Sequence, residues 1–309
     1  MAHLMRLLAA SIIDTSTTAH QSASSAIVPA QDAAALGSPA TDGPTPLMWI
    51  FLAIACIGAC ICVSRRSIRI LNPIPSGRLP RDGAIGAVAM FLFFAAGSVG
   101  AIVGAQLSVD DEAFARLTRA TTGNIAQLLC AAAFILSPLF VVAARTKCKV
   151  LPAITAGIVG FVLVAPLVTG AALLVNVVLT FMGEPPAPTV AHSTLILLRD
   201  KGDVLFTVLT LAQVTLLVPL AEELGWRGLL QPSLRAAGLG AYSAVLVTAL
   251  LFASIHWSVI PVDGRAAGLI MLFVLGIALG MLRERTGGVL ASVVLHGVFN
   301  AANVALVLA

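Results

Sequence analysis

The sequence predicts an all-α fold: a polytopic integral membrane bundle of about eight transmembrane helices, each needing roughly 20 apolar residues. Charged residues make up only 10% of the chain, against roughly 25% in soluble domains. Hydrophobic residues make up 59%, and the mean hydropathy is +1.02. Long apolar runs recur from residue 47 to the end, separated by loops that hold most of the Arg and Lys.

Residues 1–46 are rich in Ala, Ser, Thr, Pro and Gly without a sustained apolar period, so disorder is expected there. Two membrane regions follow, 47–203 and 204–309. The expected spans are 47–63, 84–105, 124–144, 155–182, 204–221, 241–259, 266–282 and 289–308. Pro166 predicts a kink or tilt in the fourth. Pro219 cannot donate to the carbonyl of Thr215 and predicts a kink or a fresh start in the fifth. Pro232 is where the helix is next expected to lose hydrogen bonds. Of the five cysteines, Cys56, Cys60, Cys62 and Cys130 fall in apolar runs and Cys148 in a basic loop. Their spacing suggests neither a zinc cluster nor a disulfide frame.

Alternate loops differ in charge. One side receives Arg65, Arg66, Arg69, Arg78, Arg81, Arg145, Lys147, Lys149, Arg227, Arg235, Arg283 and Arg285. The other receives Arg116, Arg119, Arg199, Lys201 and Arg265. Twelve against five assigns the first side to the cytoplasm and places the N-terminus outside. The expected location is a plasma membrane, bacterial in type. The net charge of +4 is explained by this topology, and no nucleic-acid partner is implied.

Three polar points interrupt the last apolar runs. Glu222, Glu223 and Arg227 follow the run 204–218, and charges at membrane depth tend to be paired and functional. Glu223 and Arg227 are four apart on one helical face and can form an ion pair. Glu222 points about 100° away and is left free for chemistry. Phe252 and His256 share a face by the same spacing, as do His296 and Asn300. Straight, upright helices put His296 about 10 Å and His256 about 22 Å from the cytoplasmic end. Meeting Glu222 then needs strong tilts, or a sixth helix that starts late after a re-entrant piece at 232–243.

A carboxylate beside a histidine can activate water as a general base. A second histidine and an asparagine amide can donate to an oxyanion. Together these groups suit addition of water to an amide carbonyl. Glu222, His256 and His296 could instead ligate a divalent metal such as zinc, although no His-Glu-x-x-His helix is present. Asn303, seven residues after His296, fits packing or a supporting hydrogen bond.

Glu222-Glu223 with Arg227, Phe252 with His256, and His296 with Asn300 resemble, in order, the three motifs of the CPBP family. That family includes type II CAAX prenyl endopeptidases, Abi proteins and bacteriocin-processing or self-immunity proteins. Gly225, Gly228 and the stretch from Arg283 to Gly287 are similar too, and the resemblance spans about residues 204–305. It implies an intramembrane endopeptidase in which Glu222 and His256 activate water. It also implies that His296 and Asn300 hold the oxyanion and that Glu223 and Arg227 are structural. The mechanism would be of metalloprotease or metal-free glutamate type, and the partners a peptide or membrane-protein substrate and the lipid bilayer. The competing reading is a non-catalytic membrane scaffold or self-immunity protein. A transporter fits less well, because no internal repeat is visible.

The loop charges give a testable topology. Cysteines introduced beside Arg66, Lys147 and Arg285 are expected to be shielded from an impermeant thiol reagent in intact cells. Those beside Asp111 and Arg265 are expected to react, and the reverse pattern overturns the orientation.

Overall fold

The computed structural model describes residues 78–107, 111–142, 149–183, 198 and 202–308. The segment 1–46, the first expected span, Cys56, Cys60, Cys62 and Cys148 lie outside the described residues.

Among the described residues the fold is helical apart from one ribbon that the sequence reading did not anticipate. Strand β1 (Arg78–Pro80) pairs antiparallel with β2 (Phe140–Val142), Pro80 opposite Phe140. Helix α1 (Gly83–Gln106) is opened by Asp82, whose carboxylate accepts from the Ile85 amide at 3.0 Å. Helix α2 (Glu112–Leu136) packs against it. The expected span 124–144 is displaced to this helix for a local reason: Asp111 accepts from the amides of Ala113 and Phe114 and caps it early. Arg116 and Arg119 therefore lie on the helix and not in a loop. Helix α3 (Val150–Phe181) contains Pro166 and lies against the last two helices.

Helix α4 runs from Val204 to Ala236, well past the end expected at 221. It continues through both prolines because a wide turn precedes each of them. Over Gln213–Leu217 and again over Leu224–Leu230 the backbone bonds i→i+5. The amide of Val218 donates to the carbonyl of Gln213, and that of Gln231 to the carbonyl of Trp226. One extra residue per turn accommodates a ring that would clash with a regular i−4 carbonyl.

Helix α5 (Ala241–Ser254) ends in a tight turn, Ile255–Ser258, and α6 (Arg265–Thr286) and α7 (Leu290–Leu308) follow. Gly287, at φ 75°, closes α6 in the left-handed region. Among the described residues, five stretches are long and apolar enough to cross a membrane: α1, α3, α4, Ala241–Ser258 and Val262–Thr286. Helix α2 is not among them, and α7 is a shorter apolar helix.

The extension of α4 removes the depth conflict between Glu222 and His256. Glu222 lies about 21 Å along the helix from Ala236, and His256 about 22 Å from residue 241. The sixth expected span starts at 241 as foreseen, without a re-entrant piece. Glu222 is thus well inside its helix and not near its end.

Among the described residues three apolar clusters hold the helices together, one of them joining Phe206 at the start of α4 to Ala113, Leu198 and Val304. Ala89, Phe93, Ala131, Trp226, Leu229 and Phe252 form the second, and Val168, Leu275, Leu279, Leu295 and Phe299 the third. Helix α7 meets the first wide turn at Gly297, where an added Cβ would stand 2.5 Å from the carbonyl oxygen of Thr215. That carbonyl belongs to backbone and cannot yield like a side chain. Gly297→Ala is expected to push α7 off α4 and lower stability by about 1–3 kcal/mol, the usual cost of overpacking. Thermal unfolding in detergent checks this; an unchanged midpoint would show that the contact is slack.

Candidate active site

Helix α4 presents two adjacent carboxylates in opposite circumstances. Glu223 is fully buried, and its Oε1 accepts from Arg227 Nη1 at 2.8 Å one turn on. The side chain of Glu222 is 19% exposed and faces two imidazoles. The 100° step between neighbours on a helix produces this division.

Arg227 is fully buried as well. Its Nη2 donates to the carbonyl of Gly276 on α6 at 3.1 Å, and its guanidinium lies 4.8 Å over the Phe252 ring. Arg283 is also buried rather than in a loop. Removing Arg227 and Arg283 from one side, twelve less two, and the helical Arg116 and Arg119 from the other, five less two, leaves ten against three, and the bias keeps its sign.

His256 stands at the end of α5, in the tight turn. Its Nδ1–H donates to the carbonyl of Phe252 at 2.8 Å, directing Nε2 to Glu222 Oε1 at 4.0 Å. His296 comes from α7. Its Nδ1–H donates to Glu223 Oε1 at 3.0 Å, and its Nε2 faces Glu222 Oε2 at 3.8 Å. Phe252 packs edge-on against both rings, at 5.0 and 6.0 Å between centroids. Trp226 stacks edge-on behind it at 5.8 Å. The phenylalanine one turn before His256 thus supplies the carbonyl that sets that ring and the apolar wall beneath both.

Asn300 reaches α4 one turn beyond His296 and donates Nδ2–H to the carbonyl of Val214 at 2.8 Å. Among the described residues, Asn303 bonds only within its own helix, to the Phe299 carbonyl at 2.8 Å.

The structure adds a polar seam that the sequence reading missed. Gln231 Nε2 donates to the Gly280 carbonyl at 3.0 Å and to Glu284 Oε1 at 2.8 Å. Arg283 Nη1 pairs with Glu284 Oε1 at 2.9 Å, and its Nε donates to the Arg227 carbonyl at 3.2 Å. The available signal was spacing: Arg227, Gln231 and Arg235 are each four apart and share a face of α4.

Glu222, His256 and His296 offer donor types that suit zinc. However, each histidine faces a different oxygen of Glu222, at 4.0 and 3.8 Å. Among the described residues no three such side chains are grouped to hold one ion. This donor set does not fit a shared metal.

Arg227→Ala would leave Glu223 as a buried charge with only His296 beside it. Removing one partner of a buried pair costs about 3–5 kcal/mol. A marked loss of folded protein and of melting temperature is expected in detergent. Normal folding with abolished activity would instead give Arg227 a role in the chemistry.

Comparison with known proteins bears on the same region. Residues 204–302 match the family model described as type II CAAX prenyl endopeptidase Rce1-like. No curated protein and no solved structure matches the chain significantly. The matched stretch begins at the start of α4 and ends within α7, so it contains Glu222, Glu223, Arg227, His256, His296 and Asn300. Within this helical chain, residues 204–302 belong to the Rce1-like type II CAAX prenyl endopeptidase family, part of the CPBP group, which points to an intramembrane protease.

Proposed function

We propose that the protein is an intramembrane endopeptidase in which Glu222 and His256 activate water, while His296 and Asn300 stabilise the oxyanion. The observation that carries this reading is the pair of separations around Glu222. At 4.0 Å, Glu222 Oε1 and His256 Nε2 are too far apart for a direct hydrogen bond and suited to one bridging water. Both side chains are partly exposed, 19% and 14%, so neither is sealed inside the bundle.

In this mechanism the water gives a proton to Glu222 while its oxygen adds to the peptide carbonyl carbon. The carbonyl oxygen becomes an oxyanion. Asn300 has a second Nδ2–H, because only one is used by Val214. In its protonated form His296 presents Nε2–H beside Glu222, since Nδ1–H is directed at Glu223. Glu222 then returns the proton to the leaving amine, the C–N bond breaks, and an acid and an amine are released. Glu223 and Arg227 hold His296 in place and do not touch the substrate. Residues 204–309 form the catalytic region in this reading, and none of these groups requires a prenylated substrate. The charge bias sets only the orientation of the helices, and the cleaved bond would lie at membrane depth, beside Glu222.

Glu222→Gln is nearly isosteric and is expected to fold with an unchanged melting temperature. Turnover should fall by about 10²–10⁴, the usual cost of losing a general base. Asn300→Ala should cost about 10²–10³ in turnover. Cleavage of membrane-reconstituted peptides by the variants measures both. Full cleavage by Glu222→Gln would remove Glu222 from the role of base, whereas a cellular phenotype that survives Glu222→Gln in full, with no cleavage by the wild type, would leave only the scaffold or self-immunity reading. Activity that survives exhaustive chelation would separate the glutamate mechanism from a metal-dependent one.

A further inference from the structure

The two prolines of α4 each leave one backbone carbonyl without its partner. In a wide turn the amide at i+5 serves the carbonyl at i. Val218 serves Gln213, and Gln231 serves Trp226. The next residues in register are Pro219 and Pro232, which have no N–H. They would have served Val214 and Arg227. Those two carbonyls are the ones that accept from side chains of other helices: Val214 from Asn300 on α7, and Arg227 from Arg283 on α6. An unpaired carbonyl in an apolar interior is costly, so each proline creates a docking point for one helix.

We propose that Arg283 is a positioning residue for the peptidase centre, acting through Arg227. Its Nε ties the Arg227 backbone to α6, while Arg227 Nη2 ties the side chain to Gly276 on the same helix. With both ends fixed, Arg227 holds Glu223, and Glu223 holds the His296 ring. Arg283 is itself held by Glu284, which Gln231 also contacts. The proposal rests on the peptidase reading only for its catalytic consequence, since the hydrogen bond is open to test without activity.

A rescue cycle tests it. Arg283→Met removes the donor; Pro232→Ala restores a backbone N–H that can serve the Arg227 carbonyl from within α4. With a quenched fluorogenic peptide that the wild type cleaves, Arg283→Met should lower kcat by about tenfold or more, as misplacement of reacting groups does. KM should change by less than about twofold. Pro232→Ala should stay near wild type, and the double variant should recover most of the lost kcat. Hydrogen exchange of the amides from Leu229 to Ala236 should rise in Arg283→Met and return in the double variant. If Arg283→Met does not accumulate, Arg283→Lys, which keeps a charge facing Glu284, carries the same cycle. A double variant no better than the single one, in kcat and in exchange, overturns the proposal, as does wild-type kcat in Arg283→Met. If exchange follows the cycle but no variant, wild type included, cleaves any peptide, the peptidase reading fails and the backbone tie stands.

Discussion

A guanidinium and a carboxylate with no exposure, Arg227 and Glu223, dominate the physics of the last third of the chain. Taking both from water is offset only if every strong donor and acceptor finds a partner. The surrounding elements answer most of that demand from three directions, leaving Glu223 Oε2 and Arg227 Nε as the buried atoms of the pair without a hydrogen-bond partner among the described residues. Helix α6 supplies the Gly276 carbonyl, α5 the face of Phe252, and α7 the Nδ1–H of His296. The satisfaction of one ion pair thus sets how three helices sit around a fourth. Glu222 inherits its surroundings from this arrangement, since His296 bridges from Glu223 to it.

The irregularity of α4 is part of the same design. A regular helix through two prolines would kink or end. Wide turns before Pro219 and Pro232 let the helix pass on to Ala236, placing Glu222 and His256 at matching distances along antiparallel elements. The first wide turn is also where Gly297 lets α7 approach closely. Departures from ideal geometry fall on both sides of the carboxylates, as wide turns often do at functional sites.

Much of this was legible in the sequence, because periodicity alone specifies faces. The spacing of four between Glu223 and Arg227 predicts their pair, and the apolar runs predict helices at 84–105, 155–182 and 241–259 with ends shifted by a few residues. What was not legible depends on partners distant in the chain. The ribbon of Arg78–Pro80 with Phe140–Val142 is set by neighbouring helix ends. The persistence of α4 beyond 221 depends on i→i+5 bonding, which a proline alone does not reveal. Arg283 reads as a loop charge by composition, yet it is buried because a carbonyl 56 residues earlier needs a donor. The meeting of Glu222, His256 and His296 was foreseen as chemistry but not as distances, since those follow from helix offsets.

Because Glu223 and Arg227 lie on one helix, their attraction does not wait for the bundle. Each charge alone costs about 2.5–3.5 kcal/mol to insert at membrane depth. A pair one turn apart can close as soon as the backbone coils, so α4 can enter the bilayer during synthesis as a nearly neutral segment. Later-made α6 and α7 then arrive to find a preformed polar knot, and their own His296 and Arg283 acquire partners on docking. The order of synthesis, α4 before α5, α6 and α7, matches the order in which these groups need one another.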